Sequence, residues 1–579
     1  MKLRVLALDY DGTIAVHGRL HPDVRAAILE VRDLGLVVVL VTGRILSDLR
    51  SVMGDLRLFD AVVAENGAVT AFPRAGRSAH SAPRCPGDLL DALRARGLDA
   101  RAGECIVELD ASAAHAALDV IRELEFPLTL HFNRGRLMVL PPAVSKATGL
   151  REALRAMRLS VHNAIGVGDA ENDHELLSAC EIGVAVQWGS AALRAAADVV
   201  LEGEGPEAVA AYLRSISAGP CILSPPAARR SLVLGRDAAG ELVSLAMRGR
   251  NVLVVGDPRS GKSWVAGLLC EQLVLQGYCI CLLDPEGDYE ALEALPGVVL
   301  LGGDDPPPSM NELARTLRHA DVSVIVDLAR LENPDKHAYV VRALRMLTDL
   351  RKRTGLPHRI VVDEAHYYLN EPAEARMLDA QLAGYTFITY RASGLHADVV
   401  AASECVIVTR ETDPAEVRLL HARWRGGEDL AHWEETLRSL EIDEACLLPG
   451  SEEAGRSLRR FRLAPRLTPH VRHRHKYLDV PVGADAAFRF AFDDGAAGPV
   501  VGSLHELVGA LAATPVEHMA GHLLRGDLSR WIGDVFRDAA LAQRIRDLEE
   551  SHRLGKLADF NDAAIHAVRE RYEVGGDLL

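Results

Sequence analysis

Short apolar runs that close on an acidic or hydroxyl residue recur through most of this chain, and they constrain its fold more than any other feature. RVLALD, VVVLVT, AVVAEN, NAIGVGD and IGVAV fall within residues 1–215, and NVLVVG, YCICLLD, VSVIVDL, RIVVDE, TFITY and CVIVTR within 232–465. Each run is apolar on both faces and is separated from the next by amphipathic, Ala/Leu/Arg-rich stretches. That alternation predicts parallel sheets covered by helices on both sides. At 579 residues the chain outgrows one core, given about 150 residues per domain. The expected class is therefore α/β with two parallel-sheet domains.

Between about 71 and 143 the runs become more polar (CIVELD, LTLHFN, RLMVL) and two helical stretches join them, which predicts a small inserted α+β unit. SISAGPCILSPPAARRS is rich in Ser, Pro and Ala and reads as a linker over 216–231. Residues 466–579 open with the basic VRHRHK, pass through one strand pattern, AFRFAF, and are then helical. The nine cysteines form no CxxC pair, so neither a disulfide frame nor a zinc knuckle is expected, and the reading is a reducing, cytoplasmic compartment. No apolar run reaches the ~18 residues of a membrane span. A net charge of −16 argues against a broadly basic nucleic-acid-coating surface, while leaving room for a local basic channel.

The first run ends in LALDYDGT. Alternation along a strand would point Asp9 and Asp11 the same way, and two like charges so close need a cation or a shared proton. Later strand ends and helix starts supply partners: Thr42 in VTGR, Lys146 in PPAVSKATGL, and Asp169 and Asp173 in GVGDAENDHEL. Ligands bind beyond the C-terminal ends of strands in such sheets, so these pieces converge on one crevice. Chemically they make a nucleophilic carboxylate, an acid/base carboxylate, an acidic nest for Mg2+ and a lysine to offset phosphate charge.

In this order the motifs resemble those of the haloacid dehalogenase superfamily of phosphatases, over roughly residues 1–215, with a Rossmann-like fold and the insert resembling a C2-type cap. The resemblance implies that Asp9 forms an aspartyl-phosphate and that Asp11 protonates the leaving oxygen and then activates water. It further implies that Thr42 and Lys146 hold the phosphoryl group, and that Asp169 binds Mg2+ with Asp9 and the Asp11 carbonyl. Asp173 would orient the metal shell, Asn172 support its loop, and Asn66 line the pocket. Arg101, Glu108, His131 and Arg134 of the cap are candidate substrate contacts, but each reads better as a polar group on the cap's outer surface. A small phosphomonoester is the expected substrate.

GDPRSGKSW (256–264) follows the strand NVLVV and opens the helix WVAGLLCEQLVLQG. In that context GxxxxGKS is a phosphate-cradling loop. Gly256, Ser260 and Gly261 shape it, Lys262 reaches the terminal phosphates of ATP, and Ser263 ligates Mg2+. RIVVDEAHYYL supplies Asp363 for the metal's water shell and Glu364 as base for an attacking water; Asp327 in VSVIVDL, with no neighbouring Glu, ranks second.

Together with LLDPEGDYEAL and FITYRASGLHADVV, the region 232–465 resembles HerA/VirB4/FtsK-like P-loop ATPases. The sensor strand departs from that branch, with Thr389-Tyr390-Arg391 where Gln or Asn is usual, and a phosphatase stands where a barrel domain often precedes. The resemblance implies homo-oligomeric rings in which an arginine completes the neighbour's site, with Arg391 and Arg410 as candidates. In the last region His518 and His522 share a helical face as a metal-ligand pair, but a helical unit with Trp531, Leu524 and Phe536 in its core explains the pattern better.

The leading functional reading is a Mg2+-dependent phosphomonoesterase fused to an ATP-hydrolysing domain that regulates or assembles it. The alternative is a nucleic-acid-dependent motor with an associated end- or nucleotide-phosphatase. Glu364 beside Asp363, with the DPEGDY turn, favours water as acceptor and so counts against a polynucleotide kinase-phosphatase.

Overall fold

A computed structural model describes residues 2–133, 135–217, 230–246, 250–379, 382–424, 427–449, 457–468, 482, 486–491, 497–536, 539–557 and 559–572. Most of the expected linker, the VRHRHK segment and Arg134 lie outside these residues. Chain contacts define two compact units, one of residues 1–285 with 289–470 and one of 286–288 with 471–579.

The first unit holds both large sheets. The N-terminal sheet has eight strands; Val5–Asp9 lies at its centre between Ala164–Gly168 and Val37–Val41, all parallel. Every residue of Val5–Asp9 is buried, as continuous apolar strands covered on both faces require. Val69–Phe72 and Arg77–His80 extend this same sheet as an antiparallel hairpin beside Ala61–Ala64. The inserted unit therefore starts later than residue 71: its own four-stranded antiparallel sheet runs from Arg101–Ala102 to Arg136–Leu140, backed by helices Gly87–Ala95 and Ala114–Glu123. The more polar runs CIVELD, LTLHFN and RLMVL do fall in this inserted sheet, whereas the hairpin at 69–80 belongs to the core.

The second sheet has eleven strands, and its parallel part follows the order Cys405–Val408, Val252–Val255, Tyr385–Thr389, Arg359–Val362, Ile280–Asp284, Ser323–Asp327, Val298–Gly302. All the apolar runs picked out in the sequence are strands here. Helix Lys262–Leu275, buried on most sides, packs over the strand that precedes it.

The two sheets meet through the residues just before their strands. His162 Nδ1 lies 3.0 Å from Glu181 Oε2 and its Nε2 lies 3.0 Å from the Gln276 carbonyl. Its ring stacks at 3.8 Å on Tyr278, whose hydroxyl donates to the same Glu181 oxygen. His358 accepts from the Cys279 amide and meets Asn163 Oδ1 at 3.2 Å; burial and then the neighbouring His162 hold its pKa well below the ordinary histidine value. Because Asn163 and His358 sit at the N-terminal ends of their strands, the C-terminal ends of the two sheets face away from one another.

Among the described residues, the second unit holds a strand pair, Phe488–Ala491 with Ala497–Val501, the latter not expected from the sequence, followed by helices. Phe536 and Trp531 are buried in its core, but Leu524 is 63% exposed, so its place in that core is corrected. His522 Nε2 accepts from the Ala491 amide and Nδ1 meets Asp527 Oδ2 at 2.8 Å. Both ring nitrogens of His522 are thus engaged within the unit, and His518 lies in a separate 3-10 turn, Val516–Met519, ahead of the helix that carries His522.

One close approach positions a residue of the first site. Gly67 has φ +108°, and a Cβ there would lie 2.0 Å from the carbonyl of Ser145, which caps the helix carrying Lys146. Gly67→Ala is expected to destabilise the N-terminal part by about 1–3 kcal/mol and to lower phosphatase activity more than ATPase activity, as measured by thermal unfolding and parallel assays.

Candidate active sites

Lys146 is the first residue of helix Lys146–Ala156, and its placement is local. Ser145 and Thr148 form a reciprocal capping box, with the Ser145 amide 2.9 Å from Thr148 Oγ1 and the Thr148 amide 3.3 Å from Ser145 Oγ. The Lys146 ammonium is 99% buried and donates to Asp9 Oδ1 at 2.5 Å and Asp173 Oδ1 at 2.6 Å. Asp173 in turn accepts through Oδ2 from the amides of Asp169 and Ala170, at 3.0 and 3.1 Å, which fixes the turn. Carboxylate oxygens of Asp9, Asp169 and Asp173 all lie within 4.8 Å of one another, and all three residues are buried. Hard oxygen donors at this spacing suit a divalent cation such as Mg2+.

Burial and then Asp173 push the Asp9 carboxyl up to about 7, against the opposing pull of Lys146. Burial works against the charge on Lys146, yet Asp173 and Asp9 together hold its pKa above the ordinary lysine value.

Asp11 does not share this nest. The strand ends at Asp9, so alternation stops there, and the Asp11 carboxylate turns to a bidentate pair with Arg44, both contacts 2.6 Å. Arg44 also lies 5.3 Å over the Tyr10 ring. Thr42 is buried, and its hydroxyl accepts from the Arg44 amide at 3.2 Å. Asn172 donates to Asn66 Oδ1 at 3.4 Å, and Thr13 Oγ1 approaches Asp169 Oδ1 at 3.5 Å. Sequence reasoning missed Arg44 and Thr13 as members of the site; Arg44 stood in the quoted VTGR, but its partner could not be read from spacing. In the cap, Arg101 pairs with Asp48 of the core, Glu108 pairs with Arg136, and His131 is half-buried in Thr129–Asn133. Arg101 and Glu108 are thus committed to ion pairs.

The second sheet presents another constellation. Lys262, at the start of its helix, donates to the carbonyls of Gly256 and Asp257 at 3.0 and 2.8 Å. Ser260 hydrogen-bonds Thr409, and the Asp257 amide donates to the Arg410 carbonyl at 2.7 Å, so the loop is clasped by the segment after Cys405–Val408. Asp363 lies two strands from the loop's own strand and Asp327 lies four, roughly 10 against 19 Å at the spacing of strands in a sheet. This favours Asp363. Its Oδ1 accepts from the Glu364 amide at 2.8 Å, and Glu364 has φ +47°, a left-handed conformation unusual for glutamate and typical of residues held in place at functional sites. Arg410 Nε lies 3.8 Å from Asp257 of its own loop, while the Arg391 guanidinium lies 5.3 Å over the Tyr390 ring.

Residues 6–80 and 107–213 match the family model of haloacid dehalogenase-like hydrolases, and residues 245–380 match the central domain of the helicase HerA. A phosphoglycolate phosphatase of Methanosarcina acetivorans is 30% identical over 226 residues, covering 37% of this chain and 98% of that protein. The chain belongs to the haloacid dehalogenase-like hydrolases. It is a phosphatase of that family with a HerA-type P-loop ATPase fused to it. A second phosphoglycolate phosphatase, from Methanothermobacter thermautotrophicus, is 28% identical over 37% of this hydrolase and 98% of its own length. A solved haloacid dehalogenase-like hydrolase from Bacteroides thetaiotaomicron is 16% identical, with a TM-score of 0.34 over 37% of this chain and 100% of that one.

The raised Asp9 pKa has a consequence for stability. Folded Asp9 keeps its proton to about pH 7, whereas the unfolded residue loses it near pH 4, so metal-free stability falls as pH rises through that window. Metal-free Asp9→Asn is expected to be more stable than the parent at pH 7.5, with the gap closing towards pH 4 and narrowing when Mg2+ is added; denaturant midpoints across pH check this.

Proposed function

We propose that this hydrolase cleaves a small phosphomonoester through attack of Asp9 on phosphorus, and that its second site hydrolyses ATP to regulate or assemble it. The observation that carries the phosphatase reading is the buried Lys146 ammonium held between Asp9 and Asp173 beside Asp169. Lys146 and the Thr42 hydroxyl hold the phosphoryl oxygens while Asp9 attacks, and Asp11, once its carboxylate leaves the Arg44 pair, protonates the leaving oxygen and then activates the water that frees the aspartate. Asp9, Asp169 and the Asp11 carbonyl would hold Mg2+, with Asp173 fixing the loop that carries Asp169. When bound, the ion neutralises the nest and offsets the charge on the phosphoryl group.

Among small phosphomonoesters we favour 2-phosphoglycolate, the substrate class that the relatives' names indicate, and the Arg101–Asp48 pair between cap and core fits a site closed over a small molecule. At the second site Lys262, Ser263 and Asp363 would hold ATP and Mg2+, and Glu364 would activate water. The working division is residues 1–215 for phosphatase, 216–231 for linker, 232–465 for ATPase and 466–579 for the helical part.

The match to the HerA central domain supports a second reading, in which nucleic acid drives ATP turnover in a ring. Stimulation of turnover by duplex DNA, lost in Lys262→Ala, would favour it.

Asp9→Asn is expected to lower hydrolysis of 2-phosphoglycolate by about 10³-fold or more with ATP turnover unchanged, and Lys262→Ala to do the reverse. Equal loss of both activities in either variant, or faster cleavage of other small phosphomonoesters than of 2-phosphoglycolate, would count against this account.

A further inference from the structure

His366 lies three residues beyond Asp363, at the centre of a short 3-10 turn, Ala365–Tyr367, and is 92% buried. Its Nδ1 lies 3.1 Å from the Thr389 hydroxyl and 3.5 Å from Glu364 Oε2. Thr389 ends the strand that separates the phosphate-loop strand from the Asp363 strand. The Thr389 hydroxyl gives its own proton to the Arg391 carbonyl, at 2.9 Å, and accepts from the Arg391 amide at 3.1 Å. Nδ1 is therefore the donor towards Thr389, and the Glu364 carboxylate stands 3.5 Å from the same nitrogen, a polar contact longer than a good hydrogen bond. This assignment follows from donor and acceptor chemistry alone.

The ring is itself held. Tyr367 and Tyr390 flank it at centroid distances of 4.0 and 4.4 Å, and a Cβ at Gly394 would come within 3.0 Å of its own Cβ. The 390–394 segment is fixed on its far side as well, because Ser393 hydrogen-bonds both carboxylate oxygens of the buried Glu416. His366 thus joins two things that sequence distance keeps apart: the acidic residue next to Asp363 and the segment that carries Arg391.

We propose that His366 is a positioning residue of the ATPase, donating its Nδ1–H to Thr389 while the polar edge of its ring stands against the Glu364 carboxylate, so that the glutamate is registered against the sensor strand and the Arg391 segment. The proposal rests on the reading of Glu364 as the base. A shift of the Glu364 carboxylate by a fraction of a hydrogen-bond length would then slow water attack while leaving the phosphate loop intact.

The test is ATP turnover by the full chain, with 2-phosphoglycolate hydrolysis by the same preparation as the control for folding. His366→Ala is expected to lower kcat by about ten- to a hundredfold with KM for ATP within about twofold. His366→Asn, whose amide N–H can stand in for Nδ1–H, is expected to recover at least half of the lost activity on a logarithmic scale, and Thr389→Val to fall short of His366→Ala in the same direction. The proposal is overturned if His366→Ala keeps the parent kcat, if its loss is matched by a rise in KM, or if Asn does no better than Ala. Glu364→Gln separates the two levels: near-complete loss of turnover there leaves the reading of the base standing whatever His366 does, whereas full turnover removes that reading and this proposal with it. Should His366→Ala lose both activities, Thr389→Val against Thr389→Ser decides, since only the serine keeps the acceptor; equal kcat in the two overturns the proposal.

Discussion

A single ammonium organises the N-terminal site. Lys146, almost wholly buried, is held between Asp9 and Asp173, and a charge in that position is tolerable only because carboxylates surround it. Three chain segments far apart in sequence are committed by this contact: the end of the first strand, the start of the helix after the cap, and the turn after Ala164–Gly168. The same acids gain a cation that does not saturate them, which leaves the nest able to accept a metal ion, while burial and Asp173 raise Asp9 against the pull of Lys146. Stability and chemistry pull against each other here, and the surrounding apolar strands supply the stability.

The two sites occupy opposite ends of one unit. His162, Glu181, Tyr278, His358 and Asn163 join the sheets at the N-terminal ends of their strands, whereas both constellations sit beyond C-terminal ends, where open α/β sheets bind ligands. Among the described residues, that polar, aromatic joint is one contact through which the two sheets are coupled.

Much of this was legible in the sequence because apolar runs and turn chemistry are local. Every strand that flanks a site was visible as a short apolar run; Ser260 and Lys262 stand in and just after a loop between strand and helix, and Asp363 at the end of the apolar run RIVV. What the sequence hid is what three-dimensional pairing decides. Asp11 was expected beside Asp9, but the strand ends at Asp9 and Arg44 claims the next carboxylate. The insert was expected from residue 71, but Val69–Phe72 and Arg77–His80 pair with the core sheet. Leu524 has helical spacing with its apolar neighbours, yet the left-handed turn at Gly526 breaks the helix two residues later and redirects the face. His366 stood in plain view within RIVVDEAHYYL, and only the register of Tyr385–Thr389 beside Arg359–Val362 brings Thr389 to it.

The central claim is that Asp9 itself takes the phosphoryl group. Rapid acid quenching during steady turnover of a phosphomonoester, followed by peptide mass spectrometry, tests it most directly. The account predicts a phosphoryl adduct on the peptide containing Asp9, absent from Asp9→Asn; rapid turnover with no adduct at any time point, or an adduct on another residue, would contradict it.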